Sequence, residues 1–330
     1  MELFARIRWV LRLLLVLAGW TLVLDSAWAQ YPAKPIRVVV PFLAGGSPDT
    51  LLRIVAPELS AAWGQPIVVE NHAGAGGNIG ASVVAKAPPD GYTILFTPSG
   101  PLSLNMFLYK DMPFNPRTAF APISVLGIMP NVLVVGSGMR AKDFHEFLAF
   151  AKANPGKLNY GSLGTGTVSH LLTGSMLAPA AGIDVVHVPY KGFPPLLADL
   201  VGGRVGFAFL DATNALPRVR QGQLRALANA HPRRFFAFPD VPTFAELGLP
   251  GIVASIWVSF VAPAGTPAEI IQTWHKELVR VSRLPEIQKK FETLGVEAWV
   301  STPAELGRRI EDERTRWGEI IERSGMHKGS

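Results

Sequence analysis

Three glycine-rich turns hold most of the residues that could do chemistry. Gly45-Gly46-Ser47-Pro48-Asp49, Gly76-Gly77-Asn78 and Gly161-Ser162-Leu163-Gly164-Thr165-Gly166-Thr167 each stand between a short strand-like run and a helical pattern. Glycine lets backbone approach a ligand with no Cβ in the way. The helix that follows offers unpaired N–H groups and the positive end of its dipole, which together suit an anion. Ser47 reads as an N-cap with Pro48 at the first helical position, and Asn78 reads as a second cap. One helix end contributes about 0.3–1 kcal/mol to an anion, and each charge-assisted hydrogen bond about 1.5–3 kcal/mol. Several together support micromolar binding, about −8 kcal/mol. One such turn alone is common and usually binds nothing. Three at the C-terminal ends of strands in two α/β halves mark a cleft.

Four side chains near these turns keep two readings each. Asp49 interacts with its own helix N-terminus, or it orients the cleft and meets a ligand amine or a bound water. Asp211, at the end of the run Val205–Leu210, has the same choice. His170 is a ligand contact or a packed first-turn residue. Tyr190 walls the cleft or packs under it.

Other chemistries are excluded by pattern. Gly74-Ala75-Gly76-Gly77-Asn78-Ile79 misses GxGxxG at its sixth position, and no phosphate-loop sequence occurs. Tyr160 stands two before Ser162, so the GxSxG elbow is absent. His145-Glu146 lacks the second histidine of HExxH. With no cysteine there is no disulfide, thiol nucleophile or Cys-based metal site. No metal and no cofactor are expected. The net charge of +6 is scattered, with pairs such as Arg233-Arg234 as the longest basic runs, so nucleic acid is not an expected partner.

The elements that must position these turns alternate. Strands are expected at 36–40, 67–70 and 92–96, with helices from about Pro48 to Trp63 and Asn78 to Lys86. The rhythm restarts with strands at 132–135, 185–188, 205–209 and 224–228 and helices at 143–153 and 168–176. This βα alternation implies a mostly parallel sheet covered by helices. Helices at 270–281 and through Leu306, Ile310, Trp317 and Ile321 suggest a tail returning to the first domain. With 330 residues and 48% hydrophobic content, the chain can bury two ordinary cores.

The first 29 residues read as a leader. Arg6, Arg8 and Arg12 precede the apolar run Leu13–Leu24, and Ala27-Trp28-Ala29 supplies a small-x-small cleavage site. That run rises about 18 Å as a helix, short of a ~30 Å hydrocarbon core. Export to the periplasm, with cleavage near Ala29, is the expectation.

A series of segments stands in order along the rest: Tyr31-Pro32, Lys34-Pro35-Ile36, Val40-Pro41-Phe42, Gly64-Gln65-Pro66, Val69-Glu70-Asn71 and Asp90-Gly91-Tyr92-Thr93. His187-Val188-Pro189-Tyr190-Lys191-Gly192, Leu224-Arg225-Ala226-Leu227-Ala228 and Ala262-Pro263-Ala264-Gly265-Thr266-Pro267 follow. The series resembles the tripartite tricarboxylate transporter substrate-binding proteins, also called Bug receptors. The resemblance implies an α/β, two-lobed periplasmic binding protein-like (Venus flytrap) fold with a ligand cleft between the lobes. It implies crossings near Ile128 and Ser255: a leader at 1–29, domain I at 30–128 plus 255–330, and domain II at 129–254. It also implies that backbone amides and bridging waters in the turns from Phe42 to Asp49 and Ala75 to Asn78 hold one carboxylate. Phe42, Ala44, Gly45, Ser47, Asp49, Ala75, Gly76, Asn78 and Ser99 then form the first-lobe set. Ser162, Thr165, Gly166, Thr167, His170, Tyr190, Asp211 and Thr213 form the second.

Two departures from the family bear on ligand identity. No acidic residue follows His170 within Leu171-Leu172-Thr173-Gly174-Ser175, and Asp211 is followed by Ala212 rather than asparagine. The expectation is a non-catalytic receptor, monomeric, that takes a mono- or dicarboxylate, amino acids and aromatic acids included. It passes the ligand to membrane transporter subunits. A secreted α/β hydrolase and a sensor subunit are the alternatives.

Overall fold

The structure is a computed structural model, and it describes residues 31–164 and 167–324. The expected leader, 1–29, lies outside the described residues, as do Thr165 and Gly166. Among the described residues no helix is long and apolar enough to cross a membrane.

The chain opens with β1 (Ile36–Val40), α1 (Ser47–Trp63), β2 (Ile67–Asn71), α2 (Asn78–Ala85) and β3 (Thr93–Pro98). β1 is a β-branched run whose apolar side chains are fully buried. α1 buries Leu51, Leu52, Val55 and Leu59 and ends at Gly64, which adopts φ +62. β1 pairs in parallel with β2 and with β3. A π-turn (Gly100–Leu104) and a single helical turn (Asn105–Leu108) lead to β4 (Phe120–Gly136).

A second group follows: α3 (Phe144–Ala153), β5 (Leu158–Ser162), β6 (Val185–Pro189), α4 (Phe193–Val201), β7 (Phe207–Asp211), α5 (Ala212–Arg220) and β8 (Leu224–Asn229). Asp143 caps α3 by accepting from Glu146 N at 2.9 Å. β5 pairs in parallel with β6 and β7. The chain then runs through β9 (Ser255–Pro263), α6 (Ala268–Ser282), α7 (Pro285–Thr293), β10 (Glu297–Ala298) and α8 (Pro303–Ser324).

The strands join in the order β2-β1-β3-β9-β4-β7-β5-β6, with β8 and β10 also on β4. A mostly parallel sheet was the expectation; β1 is parallel to β2 and β3, and β5 to β6 and β7, but every pairing of β4 and β9 is antiparallel, within the second half as well as at the junction. β9 runs antiparallel to β3 and to β4. β4 spans both halves. It pairs with β9 through Pro130, opposite Ser255, and from Asn131 onward with β7 and β8. The expected strand at 132–135 is only the last part of β4. Pro122, Ser124 and Pro130 interrupt the apolar pattern of the earlier part, and its register against β9 shifts at Pro122/Ser124 and Val125/Gly127.

Two apolar cores stand out among the described residues. One gathers Val39, Val84, Leu95, Trp257 and Leu306. The other gathers Leu133, Phe147, Phe207, Phe209 and Phe244. α8 contributes Leu306 and Ile310 to the first and Trp317 and Ile321 to the second, so this tail helix ties both cores. The molecule is therefore an α/β protein of two lobes.

Two expected caps are corrected. Gly46, not Ser47, is the N-cap of α1, and Ser47 is its first helical residue. Gly77, at φ +96, caps α2 in place of Asn78, because a tight turn at Ala75–Gly77 already leads the chain into the helix. The expected helix at 168–176 is one α-turn (Val168–Leu171) followed by a π-turn (Leu172–Leu177).

Candidate functional site

The first turn is built around Asp49. Its carboxylate accepts from Gly45 N at 3.0 Å, from Arg53 Nε at 3.0 Å and from Asn71 Nδ2 at 3.1 Å. Asn71 Nδ2 also donates to Phe42 O at 3.0 Å, so both ends of the loop are tied to β2. Burial pushes the Asp49 carboxyl up, but Arg53, Gly45 and Asn71 together outweigh it and hold it below its usual range. Asp49 sets the shape of the turn and leaves Phe42, Gly46, Ser47 and Pro48 to face a cavity.

The second turn has positive φ at Gly74, Ala75, Gly76 and Gly77 in succession. Glycine is required at 77, where a Cβ would come within 2.8 Å of Pro101 Cγ. Asn105, fully buried, holds this turn: its Nδ2 donates to Gly76 O at 3.0 Å and to Asn78 Oδ1 at 2.6 Å. Asn78 Nδ2 in turn meets Met112 Sδ at 3.3 Å.

The third turn ends β5. Ser162 Oγ lies 2.7 Å from His187 Nε2 and accepts from Gly164 N at 3.2 Å. The His187 and His170 rings stack with centroids 4.2 Å apart, and Tyr160 stacks on His187 at 4.9 Å. Burial, with the neighbouring His187, brings His170 down to about 4, and burial lowers His187 as well. Burial thus favours the neutral form of both rings. Thr167 Oγ1 donates to Gly164 O at 2.7 Å and lies 3.0 Å from Ser169 Oγ.

The end of β7 meets the start of α1. Ser47 Oγ donates to Asp211 Oδ2 at 2.6 Å, and Asn214 Nδ2 donates to Ser47 Oγ at 2.7 Å and to Asp211 Oδ2 at 2.9 Å. Asp211 also caps α5, accepting from Asn214 N at 3.1 Å. Burial pushes the Asp211 carboxyl up, against the hydrogen bonds from Ser47 and Asn214. Asn131, the register partner of Asp211 on β4, donates from Nδ2 to Ala254 O at 3.1 Å. A second close approach brings the residue before α4 to the loop before α1: a Cβ on Gly192 would lie 2.9 Å from Leu43 Cδ1.

These elements enclose a cavity of about 80 Å³. By volume it holds several water-sized spheres, or a small organic molecule. Its walls include Phe42, Leu43, Pro98, Phe193, Phe209, Ile256 and Val258, with no lysine or arginine among the described residues. The starts of α1, α4 and α5 and of the turn at Val168 all reach it, and so does Gly76 just before α2.

The structure brings six of the expected site residues onto this wall: Phe42, Ser47, Gly76, Ser99, Thr167 and Asp211. Ala44, Gly45, Asp49, Ala75, Asn78, Ser162, His170 and Thr213 are not on it. Thr213 Oγ1 meets Met129 Sδ at 3.4 Å instead. Tyr190 donates to Asp199 at 2.6 Å, away from the wall, and burial with that carboxylate pushes its phenol up to about 12. Thr165 and Gly166 lie outside the described residues. Asn131, Asn214, Phe193 and Phe209 also line the cavity and were not among the expected residues. Asn214 had a signal, since Asp211-x-x-Asn214 is cap spacing. Asn131 had one too, as a lone amide inside the apolar stretch Ile128–Val135.

An α/β protein of two lobes, with helix N-termini converging on a small cavity, defines the class of solute-binding receptors. Residues 51–326 match the family described as tripartite tricarboxylate transporter family receptor. Solved structures similar to this chain include the following three. Rpa4515 of Rhodopseudomonas palustris with adipate is 32% identical with a TM-score of 0.88, covering 91% of this chain and 100% of that one. The periplasmic binding protein BugD is 33% identical with a TM-score of 0.86, covering 90% and 100%. MatC of R. palustris with bound malate is 32% identical with a TM-score of 0.83, covering 88% and 100%. The chain belongs to the tripartite tricarboxylate transporter receptor family. It has the two-lobed fold of periplasmic solute-binding proteins, and it is a solute receptor rather than an enzyme.

Proposed function

We propose that this chain is a periplasmic receptor that closes on a small mono- or dicarboxylate and delivers it to a tripartite tricarboxylate-type membrane transporter. The observation that carries this reading is the convergence of helix N-termini on a cavity without cationic side chains. Backbone N–H groups around Gly46, Ser47 and Gly76 then supply the charge complement for one carboxylate. The adipate and malate held by the two R. palustris relatives support a carboxylate of this size.

In this reading the lobes are residues 30–128 with 255–330, and 129–254. The change of strand partner at Pro130–Asn131, opposite Ser255, supports crossings at those points. The ligand shifts an open–closed equilibrium because it touches both lobes. The basic, apolar, small-x-small order of residues 1–29 supports export with cleavage near Ala29. Nothing in this cycle needs more than one copy of the chain, so the receptor acts as a monomer.

The test is a thermal-shift screen of protein stripped of ligand by unfolding and refolding, against C3–C8 carboxylates. At 100 times Kd a ligand adds about 2.7 kcal/mol, enough to raise Tm by several degrees. A shift confined to one group of carboxylates is the expected result. A folded protein that responds to none of them would overturn the carboxylate reading.

A further inference from the structure

Arg314 lies on the buried stripe of α8, between Ile310 and Trp317, and is only 4% exposed. Ile310 belongs to one core and Trp317 to the other, so a cation stands where helical spacing calls for an apolar side chain. A buried guanidinium is costly unless its N–H groups are taken up. Here Nε and Nη2 both donate to Leu102 O, at 3.1 and 2.8 Å, and Nη2 also donates to Pro116 O at 2.6 Å. Nη1 meets the Glu311 carboxylate. The planar fork thus fastens two separate loops to the tail helix.

Leu102 sits inside the π-turn Gly100–Leu104, and the start of that turn faces the ligand. Ser99 and Gly100 line the cavity. Ser99 O is fixed by Leu102 N at 3.0 Å, by Ser103 N at 2.9 Å and by Ser103 Oγ at 3.0 Å. The same segment supports the neighbouring turn. Pro101 packs where a Cβ on Gly77 would stand, and Asn105 donates to Gly76 O and to Asn78 Oδ1. Gly76 lines the cavity as well. One guanidinium therefore backs the backbone at 76–78 and at 99–102, whereas the loop before α1 is held independently through Asp49.

Resting on the carboxylate reading above, we propose that Arg314 is a positioning residue for ligand binding. From behind the wall it holds the π-turn, and through it Gly76 and Ser99, in the arrangement that receives the carboxylate. It does not touch the ligand, since no arginine lines the cavity among the described residues. The role needs the fork and not the charge alone. Lysine keeps the charge, but its compact ammonium lacks the planar set of donors that serves both carbonyls.

The experiment compares ligand-stripped Arg314→Met and Arg314→Lys with the unsubstituted protein. Ile287→Ala, in the buried face of α7, is the control for lost stability alone. The readouts are amide hydrogen exchange without ligand and calorimetric titration with adipate and with malate. Gly77, Leu102 and Ser103 donate their amides to Gly74 O and Ser99 O. In both Arg314 variants these amides exchange about 10-fold faster or more, while those of Gly46 and Thr50 keep their rates. For whichever acid binds the unsubstituted protein, Kd rises about 10-fold or more in Arg314→Met, and by a smaller factor in Arg314→Lys. In Ile287→Ala it changes by less than about 2-fold. Full affinity in Arg314→Lys would assign the effect to charge and overturn the inference. So would an equal loss of affinity in Ile287→Ala, or unchanged exchange at Gly77 and Leu102. If Arg314→Met does not fold, Arg314→Lys carries the test. Failure of both acids to bind the unsubstituted protein counts against the carboxylate reading instead, and the exchange rates then decide the role of Arg314 by themselves.

Discussion

Ser47 shows how one hydroxyl can serve two parts of the fold. As the first residue of α1 it is released from capping and reaches Asp211 and Asn214, 164 and 167 positions away. Ser47→Ala removes a donor and an acceptor from a buried network. It should cost about 1–3 kcal/mol, lowering Tm by roughly 2–4 °C per kcal/mol, and should weaken ligand binding, both read from melts with and without ligand. The stacked imidazoles give a pH dependence. His170 titrates at about 4 in the fold, held down by burial and by His187, against 6.5 for a free ring. Between those values the unfolded chain binds more protons than the folded one, so stability is complete above pH 6.5 and is lost as pH falls towards 4. His187, also lowered by burial, adds in the same direction. Up to about 3 kcal/mol is at stake for His170. Tm should drop between pH 7 and pH 5, and His170→Gln should flatten that drop; an unchanged slope would rule out the assignment.

Among the elements, the two turns beside α1 and α2 are shaped by residues behind the wall. Asp49→Ala leaves Gly45 N without its acceptor and takes from Asn71 Nδ2 one of its two. Its cost should be about 1–3 kcal/mol in the ligand-free protein, with a secondary loss of affinity. A direct ligand contact would instead leave the ligand-free Tm unchanged, and differential scanning calorimetry separates the two. Gly77→Ala forces a side chain to φ +96 and into Pro101 Cγ at 2.8 Å. The strain alone costs about 1–2 kcal/mol, and the denaturant midpoint should fall accordingly. These turns were legible in the sequence because glycine, proline and cap residues announce themselves locally. The supports behind them were not. Asn105 reaches Gly76 from 29 residues away, and Arg314 of α8 donates to Leu102 O at 2.8 Å behind the π-turn. Such contacts exist only after the chain has folded, and no local pattern encodes them.

For the whole molecule, the expected α/β alternation holds within each half and fails at their junction. β4 and β9 cross between the cores, and the proline and serine residues of β4 blur the period-two signal that would have revealed its full length. The same crossing sets Asn131 opposite Asp211, a pairing between distant positions that no local pattern encodes. α8 carries apolar contacts to both cores. The proposed receptor binds one small carboxylate in the cavity between the helix starts. Isothermal titration of the ligand-stripped protein with adipate, malate and the C3–C8 monocarboxylates tests it most directly. At least one of these acids should bind at one molecule per chain with micromolar or tighter affinity, about −8 kcal/mol or better. A correctly folded protein that gives no binding heat and no Tm shift with any of them would contradict it.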